Sequence, residues 1–248
     1  MQGGNESELV RFIGITDEVA NESLAAHAAA LQYLSDVDVL FDEVRHHYAS
    51  IKPACASVLL LNAHASFRAA IGLALRGQLL PVFMALRGAI ESALYANAMV
   101  SRPELESIWL KRDEDKAARQ KCRDEFGLGI VLKYLATRHD QNYADAVRDM
   151  YDSTIDFGAH PNSRMIMQST HLEELADGSH ALDFAYVHGP NSFELRQSLF
   201  ACYEVGIHLF FIVLIAAQEV EKTHALNDRA LALQGRIDEL AKVLAPEA

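Results

Sequence analysis

Cysteine is scarce in this chain. Only Cys55, Cys122 and Cys202 occur, far apart and with no C-x-x-C spacing. An odd, scattered set of thiols does not close into a disulfide framework or a cysteine-rich zinc site, so the expected location is the reducing cytoplasm. The opening residues, MQGGNESELVRF, lack the basic-then-apolar order of a secretory leader. Glycine and proline are sparse as well, 13 and 6 among 248 residues, while alanine and leucine abound. That composition leans helical. Positive charge is in deficit, with 22 Lys and Arg against 34 Asp and Glu and a formal net charge of −12. Nucleic-acid binding draws on a stripe of Lys and Arg. The densest basic run here, Lys111 to Arg123, is interleaved with Asp113, Glu114 and Asp115. A nucleic-acid partner is therefore not expected. There is no P-loop, dinucleotide fingerprint, G-x-S-x-G or H-E-x-x-H, no nucleophile triad is visible, and no cofactor is expected.

A bilayer span is not expected either. Val205 to Ala217 is very apolar but falls short of the ~20 residues that a span needs. His208 lies inside it, and extending it backwards takes in Glu204 and Arg196. It reads as a core helix.

What the chain does have is apolar surface in quantity. Half of its residues are hydrophobic, enough for one sizeable core. The most informative stretch is Val58 to Val100, where two apolar segments meet at Arg76-Gly77-Gln78. The first contains Asn62, His64 and Arg68, and the second contains Arg87 and Glu91. A helix apolar on nearly every side is buried, and a charge on it is costly unless paired. The centre of the protein therefore reads as a helix hairpin enclosing a small polar cluster.

Periodicity predicts an all-α bundle of six to eight helices in one domain over 16–248, after a mobile start over 1–15. Thr16-Asp17-Glu18 has the character of a helix N-terminus, and a long helix is predicted from there to about Tyr48, with a break near Ser35-Asp36. Pro53 and Gly77 bracket the next helix, and Pro81 starts the third. Ser101-x-x-Glu104 reads as a capping box for the fourth, whose polar later part, Lys111 to Glu125, is a solvated projection or the lip of a cleft. Gly158 to Asn162 is a stop signal. Two runs flanking Asp177-Gly178 predict a β-hairpin insertion over about 164–188. Asn191 with Glu194 resembles another capping box before the long apolar helix. The last helix carries Leu226, Ala230, Leu233, Ile237, Leu240 and Leu244 as a seam that packs on its own bundle or on a second copy.

Several constellations carry candidate chemistry. Arg87, Glu91 and Tyr95 share a helix face at i, i+4, i+8, and His64 and Arg68 are four apart on the preceding helix. Were the two sets to converge, they would make a ligand-binding pocket in which an Arg fork grips a carboxylate or phosphate. The alternative is a buried ion-pair network that sets helix register. Asp152, Asp156 and His160 form a second row, which Tyr151 joins through its hydroxyl. His160 there is a general acid, base or ligand, or simply caps the last carbonyls. Two E-x-x-H steps, Glu43 with His46 and Glu221 with His224, match half of a di-iron carboxylate site, with Glu91 and Glu204 as the available extra carboxylates. Metal-dependent bundle chemistry is thus one alternative. Glu204 and His208, four apart on the apolar helix, are expected to satisfy each other in the core.

The stretch ASFRAAIGLALRGQLLPVFMALRGAIESALYANAMVSRPELESIWL, with the later YDSTIDFGAHPN, resembles bacterial helical families of unknown function. They share an Arg on one helix, a small–Arg–x–x–x–Glu step on the next, a Trp after a Pro and a Tyr…Ser…His-Pro segment. The resemblance covers about Val58 to Asn162. These families are distantly similar to the HEPN superfamily of helical bundles. The lack of any complete catalytic set points to a binding or scaffold role; the resemblance implies bacterial stress or phage defence as its setting or, alternatively, RNA processing of HEPN type. Active HEPN ribonucleases carry an Arg, a polar residue and, a few positions on, a His on a helix. Arg164 to His171 is the comparable spacing here, in a segment read as a strand, and Met165 stands where a polar residue is expected. The expectation carried forward is a non-enzymatic, cytoplasmic, homodimeric bundle with a small ligand or protein partner.

Overall fold

The computed structural model of the chain describes residues 7–159, 166, 169–175, 179–217 and 223–245. Those residues form eleven α-helices and one two-stranded antiparallel sheet. The all-α class and the small hairpin agree with the sequence reading. The helix number exceeds the expected six to eight, because several long periodic stretches are broken by single turns.

Helix α1 (Glu8–Ala26) begins well before Thr16. Ser7 is its N-cap, accepting from the Val10 N–H, whereas Thr16 is buried in mid-helix and donates its hydroxyl to the Ile13 carbonyl. The polar Thr16-Asp17-Glu18 run is therefore interior, not a start. The break after α1 falls at His27, not at Ser35-Asp36: Nε2 of His27 donates to the Pro190 carbonyl at 2.7 Å. A contact 163 residues away in sequence fixes this kink. Helix α2 (Ala28–Arg45) follows, burying Leu34, Val37, Leu40, Phe41 and Val44.

The central hairpin is present as read. Helix α3 (Ala54–Leu75) and helix α4 (Leu79–Ser101) are joined at Gly77. Gly77 has φ +68°, its N–H donates to the Ala74 carbonyl, and the Gln78 N–H reaches back to the Leu73 carbonyl. That paired bonding closes α3 with a left-handed residue, a conformation glycine adopts without a Cβ penalty. Pro53 stands one position before α3 as its N-cap. Helix α4 is the axis of the fold, burying Val82, Phe83, Leu86, Ile90, Leu94 and Met99.

The expected capping box at Ser101 does not form. Ser101 ends α4 and donates to the Asn97 carbonyl, while Glu104 pairs with Arg102 at 2.9 Å. The predicted fourth helix is split into α5 (Leu105–Leu110) and α6 (Lys116–Glu125), the latter capped by Asp115. The projection is solvated, as its charge requires. Helices α7 (Leu128–Arg138) and α8 (Gln141–Thr154) follow, and α8 runs into a π-turn, Ile155–Ala159, where Gly158 has φ +138°. Strands β1 (Thr170–Glu174) and β2 (His180–Phe184) pair antiparallel, with Thr170 opposite Phe184 and Glu174 opposite His180. The Asp177-Gly178 turn lies outside the described residues.

Helix α9 (Phe193–Ala216) is capped by Ser192, which accepts from the Leu195 N–H, and not by Asn191. The terminal seam is two helices, α10 (Thr223–Gln234) and α11 (Ile237–Val243), broken at Gly235-Arg236. Arg236 explains the break: it lies 4.3 Å over the Tyr33 ring and bonds Asp36 at 3.0 Å. Leu226, Ala230, Leu233, Leu240 and Leu244 are buried in the chain's own core, so the seam packs on its own bundle.

By length and composition, α3, α4 and α9 are each able to cross a membrane. Helix α9 is longer than the apolar run Val205 to Ala217 on which the sequence reading rested, and 72% of its most apolar window lies inside the fold.

Candidate functional site

The structure divides the expected polar cluster into two, each joined to a different neighbouring helix. On α3, His64 Nε2 donates to Asp38 Oδ1 at 2.7 Å. Arg68 grips both oxygens of Asp38, at 2.7 and 2.8 Å, and reaches Asp42 at 3.0 Å. The His64 ring stacks on Phe41 with centroids 4.8 Å apart. Burial opposes the charge of Asp38, but the bonds from His64 and Arg68 outweigh it and hold this carboxyl well below the usual carboxylate range. The set clamps α3 to α2.

On α4, Arg87 Nε donates to Glu91 Oε1 at 3.0 Å, and the Tyr151 hydroxyl of α8 donates to the same oxygen at 2.6 Å. The Arg87 guanidinium lies 5.0 Å from the Tyr151 ring centroid. Burial, and then the neighbouring Glu91, push the Tyr151 hydroxyl up to about 12, so it stays protonated and keeps donating. This set joins α4 to α8. Thus His64 and Arg68 do not converge with Arg87 and Glu91: α3 turns its charged pair to α2 and α4 turns its own to α8. A neutral link, Asn62 to Ser92 at 2.9 Å, joins α3 to α4.

Removing the phenolic oxygen tests the α4–α8 link. Tyr151→Phe is expected to cost about 1 kcal/mol, because Glu91 is partly open to water, and to lower the melting temperature by roughly 2–4 °C. Thermal unfolding followed by circular dichroism measures this.

The remaining expected residues are dispersed. The Tyr95 ring packs on Phe126, with centroids 4.7 Å apart. Asp156 is exposed in the π-turn, which breaks the i, i+4 row from Asp152, and His160 lies outside the described residues. Glu43 is paired with Arg229, and His46 and His224 are exposed at helix ends. Glu221 lies outside the described residues, as does Arg164. Among the described residues no group of three or more His, Cys, Asp or Glu is placed to hold a metal. His171 lies on strand β1, not on a helix.

A site that residue spacing did not single out lies between α8 and α9. A cleft of about 360 Å³ is lined by Ala146, Asp149, Met150, Ser153 and Thr154 of α8, with Phe157 of the π-turn. Ala201, Glu204, Val205 and His208 of α9 and Phe83 of α4 complete it. Phe83 and Phe157 stack, with centroids 5.4 Å apart and planes 26° apart. The expected Glu204–His208 bond is absent. His208 Nδ1 is shut away from solvent with no hydrogen-bond partner, and burial lowers the pKa of this imidazole. Burial raises that of Glu204. The Tyr143 hydroxyl steadies this stretch of α9 by donating to the His208 carbonyl at 2.8 Å. The signal in the sequence was there: two ionisable groups one turn apart on an otherwise greasy helix. Only tertiary packing shows that they border a cleft and do not answer each other.

Comparison with known proteins returns no match to a family model, to a curated protein or to a solved structure.

Proposed function

We propose that this protein is a binding protein, not an enzyme, and that its small-molecule ligand occupies the cleft between α8 and α9. The observation that carries this reading is the cleft itself: mostly apolar walls, a stacked aromatic pair and a few polar groups left without partners. Small-ligand sites have that make-up, and the volume falls at the lower end of their range. The non-catalytic part of the reading rests on the two charged sets. Asp38, His64 and Arg68, and likewise Arg87, Glu91 and Tyr151, are engaged in holding helices together.

A thermal-shift screen with a chemically mixed library tests it, run in parallel on Ala146→Trp. Ala146 is an exposed residue of the cleft, so an indole there fills the space without disturbing the core. Ligands at about 100 times their Kd are expected to add about 2.7 kcal/mol, a shift of roughly 5–10 °C, in the natural chain only. Hits that stabilise both chains equally, or no hits at all, overturn the reading.

We also infer a cytoplasmic homodimer. The apolar residues Leu9, Val10 and Ile13 that α1 leaves exposed support self-association. Light scattering on protein extracted without detergent checks both points: a monomer, or protein found only in the membrane fraction, overturns them.

A further inference from the structure

We infer that the cleft between α8 and α9 takes a small organic cation, an amine or quaternary ammonium carrying an apolar or aromatic body. This rests on the cleft being a binding site and adds the charge of its occupant.

The lining has charge of one sign only. Asp149 and Glu204 bring carboxylates from the two walls, and among the described residues no Lys or Arg borders the cleft. Among the described residues neither carboxylate has an ion-pair partner, although the arginines elsewhere in the fold pair repeatedly with acids. The third ionisable group is His208. Burial lowers its pKa, so near neutral pH it adds no positive charge to offset the carboxylates. Glu204 responds in the opposite direction: the residue is exposed, yet partial desolvation disfavours its anion and raises its pKa. A bound cation would offset that penalty. The floor suits the rest of such a molecule. The stacked rings of Phe83 and Phe157 offer apolar area, and an aromatic face attracts a cation. Met150 and Val205 extend the apolar wall. An anionic ligand of the same shape would meet two like charges and no donor cation, an arrangement that selects against it.

A pH dependence follows. Among the described residues, the ionisable groups facing the occupant are Asp149 from α8 and Glu204 and His208 from α9, while α4 and the π-turn contribute phenylalanines. Acidification neutralises Glu204, whose pKa burial raises, and charges the His208 imidazole, and both changes weaken binding of a cation.

Isothermal titration of the full chain with four probes on one skeleton tests the inference: benzylamine, benzyltrimethylammonium, benzyl alcohol and phenylacetate. The two cations are expected to bind in about the millimolar range, as suits ligands of this size, and at least about tenfold more tightly than the alcohol, with no detectable binding of phenylacetate. Glu204→Gln, at an exposed position, is expected to weaken the cations by about fivefold or more and leave the alcohol unchanged. If the alcohol binds as well as the amine and Ala146→Trp blocks both, the cleft is a binding site but the inference about charge is wrong. If phenylacetate binds best, or if neither cation binds at about ten times the expected Kd, the inference also fails, while the library screen still decides whether the cleft binds anything.

Discussion

Asp38→Ala is expected to lower stability by about 3 kcal/mol and the melting temperature by roughly 6–12 °C. The substitution removes the acceptor shared by His64 and Arg68. Arg68 is half open to water and re-solvates, so its loss is small. His64 is not so placed: its side chain is 5% exposed, and without Asp38 its Nε2 becomes a buried polar atom with no partner, the costly outcome. Asp38→Asn keeps an acceptor in place and is expected to cost about 1 kcal/mol. The pH dependence has a definite sign. The folded carboxyl titrates well below its unfolded counterpart, so its contribution is complete above about pH 4 and is lost as the pH falls further toward the folded value. The gap in stability between the natural chain and Asp38→Ala should therefore be constant from neutral pH down to about pH 4 and close below it. Urea unfolding at several pH values measures this gap. A gap that widens on acidification would contradict the assignment of Asp38 as the charged clamp.

Gly77→Ala is expected to be at least as damaging, about 3–4 kcal/mol, for two reasons that add. The residue has φ +68°, where an alanine is strained. A Cβ there would also fall 2.1 Å from the His188 carbonyl oxygen and 2.8 Å from the His188 nitrogen, so the loop must retreat and give up the bond from the His188 N–H to the Gly77 carbonyl. The two causes separate experimentally. At an ordinary helix end Asn tolerates the left-handed conformation and rescues much of the loss; here Gly77→Asn keeps the clash and should be nearly as unstable as Gly77→Ala. Thermal unfolding of the pair decides the matter, and a near-normal Gly77→Asn would show that the loop yields easily.

These two positions also show what the chain discloses before it folds. Gly77 was legible as a cap because it stands between two apolar helices, but its close approach to His188 depends on a loop more than a hundred residues later. His64 and Arg68 were legible as buried charges in need of partners. Their partners, Asp38 and Asp42, lie on the preceding helix, where a carboxylate beside an apolar stripe looks like any solvated face. The breaks at His27 and at Arg236 are held by Pro190 and by Tyr33 with Asp36, contacts that no local propensity encodes. The cleft was least visible of all. Asp149, Ser153 and Phe157 become neighbours of Glu204 and His208 only when α8 and the π-turn dock on α9, and periodicity alone placed Glu204 and His208 in a dry core.

The occupant of that cleft decides what the protein does. A crystal structure of the chain grown with benzyltrimethylammonium tests it directly. The expected density lies over the Phe83–Phe157 pair, with the ammonium between Asp149 and Glu204. An empty cleft at saturating probe, or density seated instead in the apolar groove around Phe12, Pro81 and Tyr186, would contradict it.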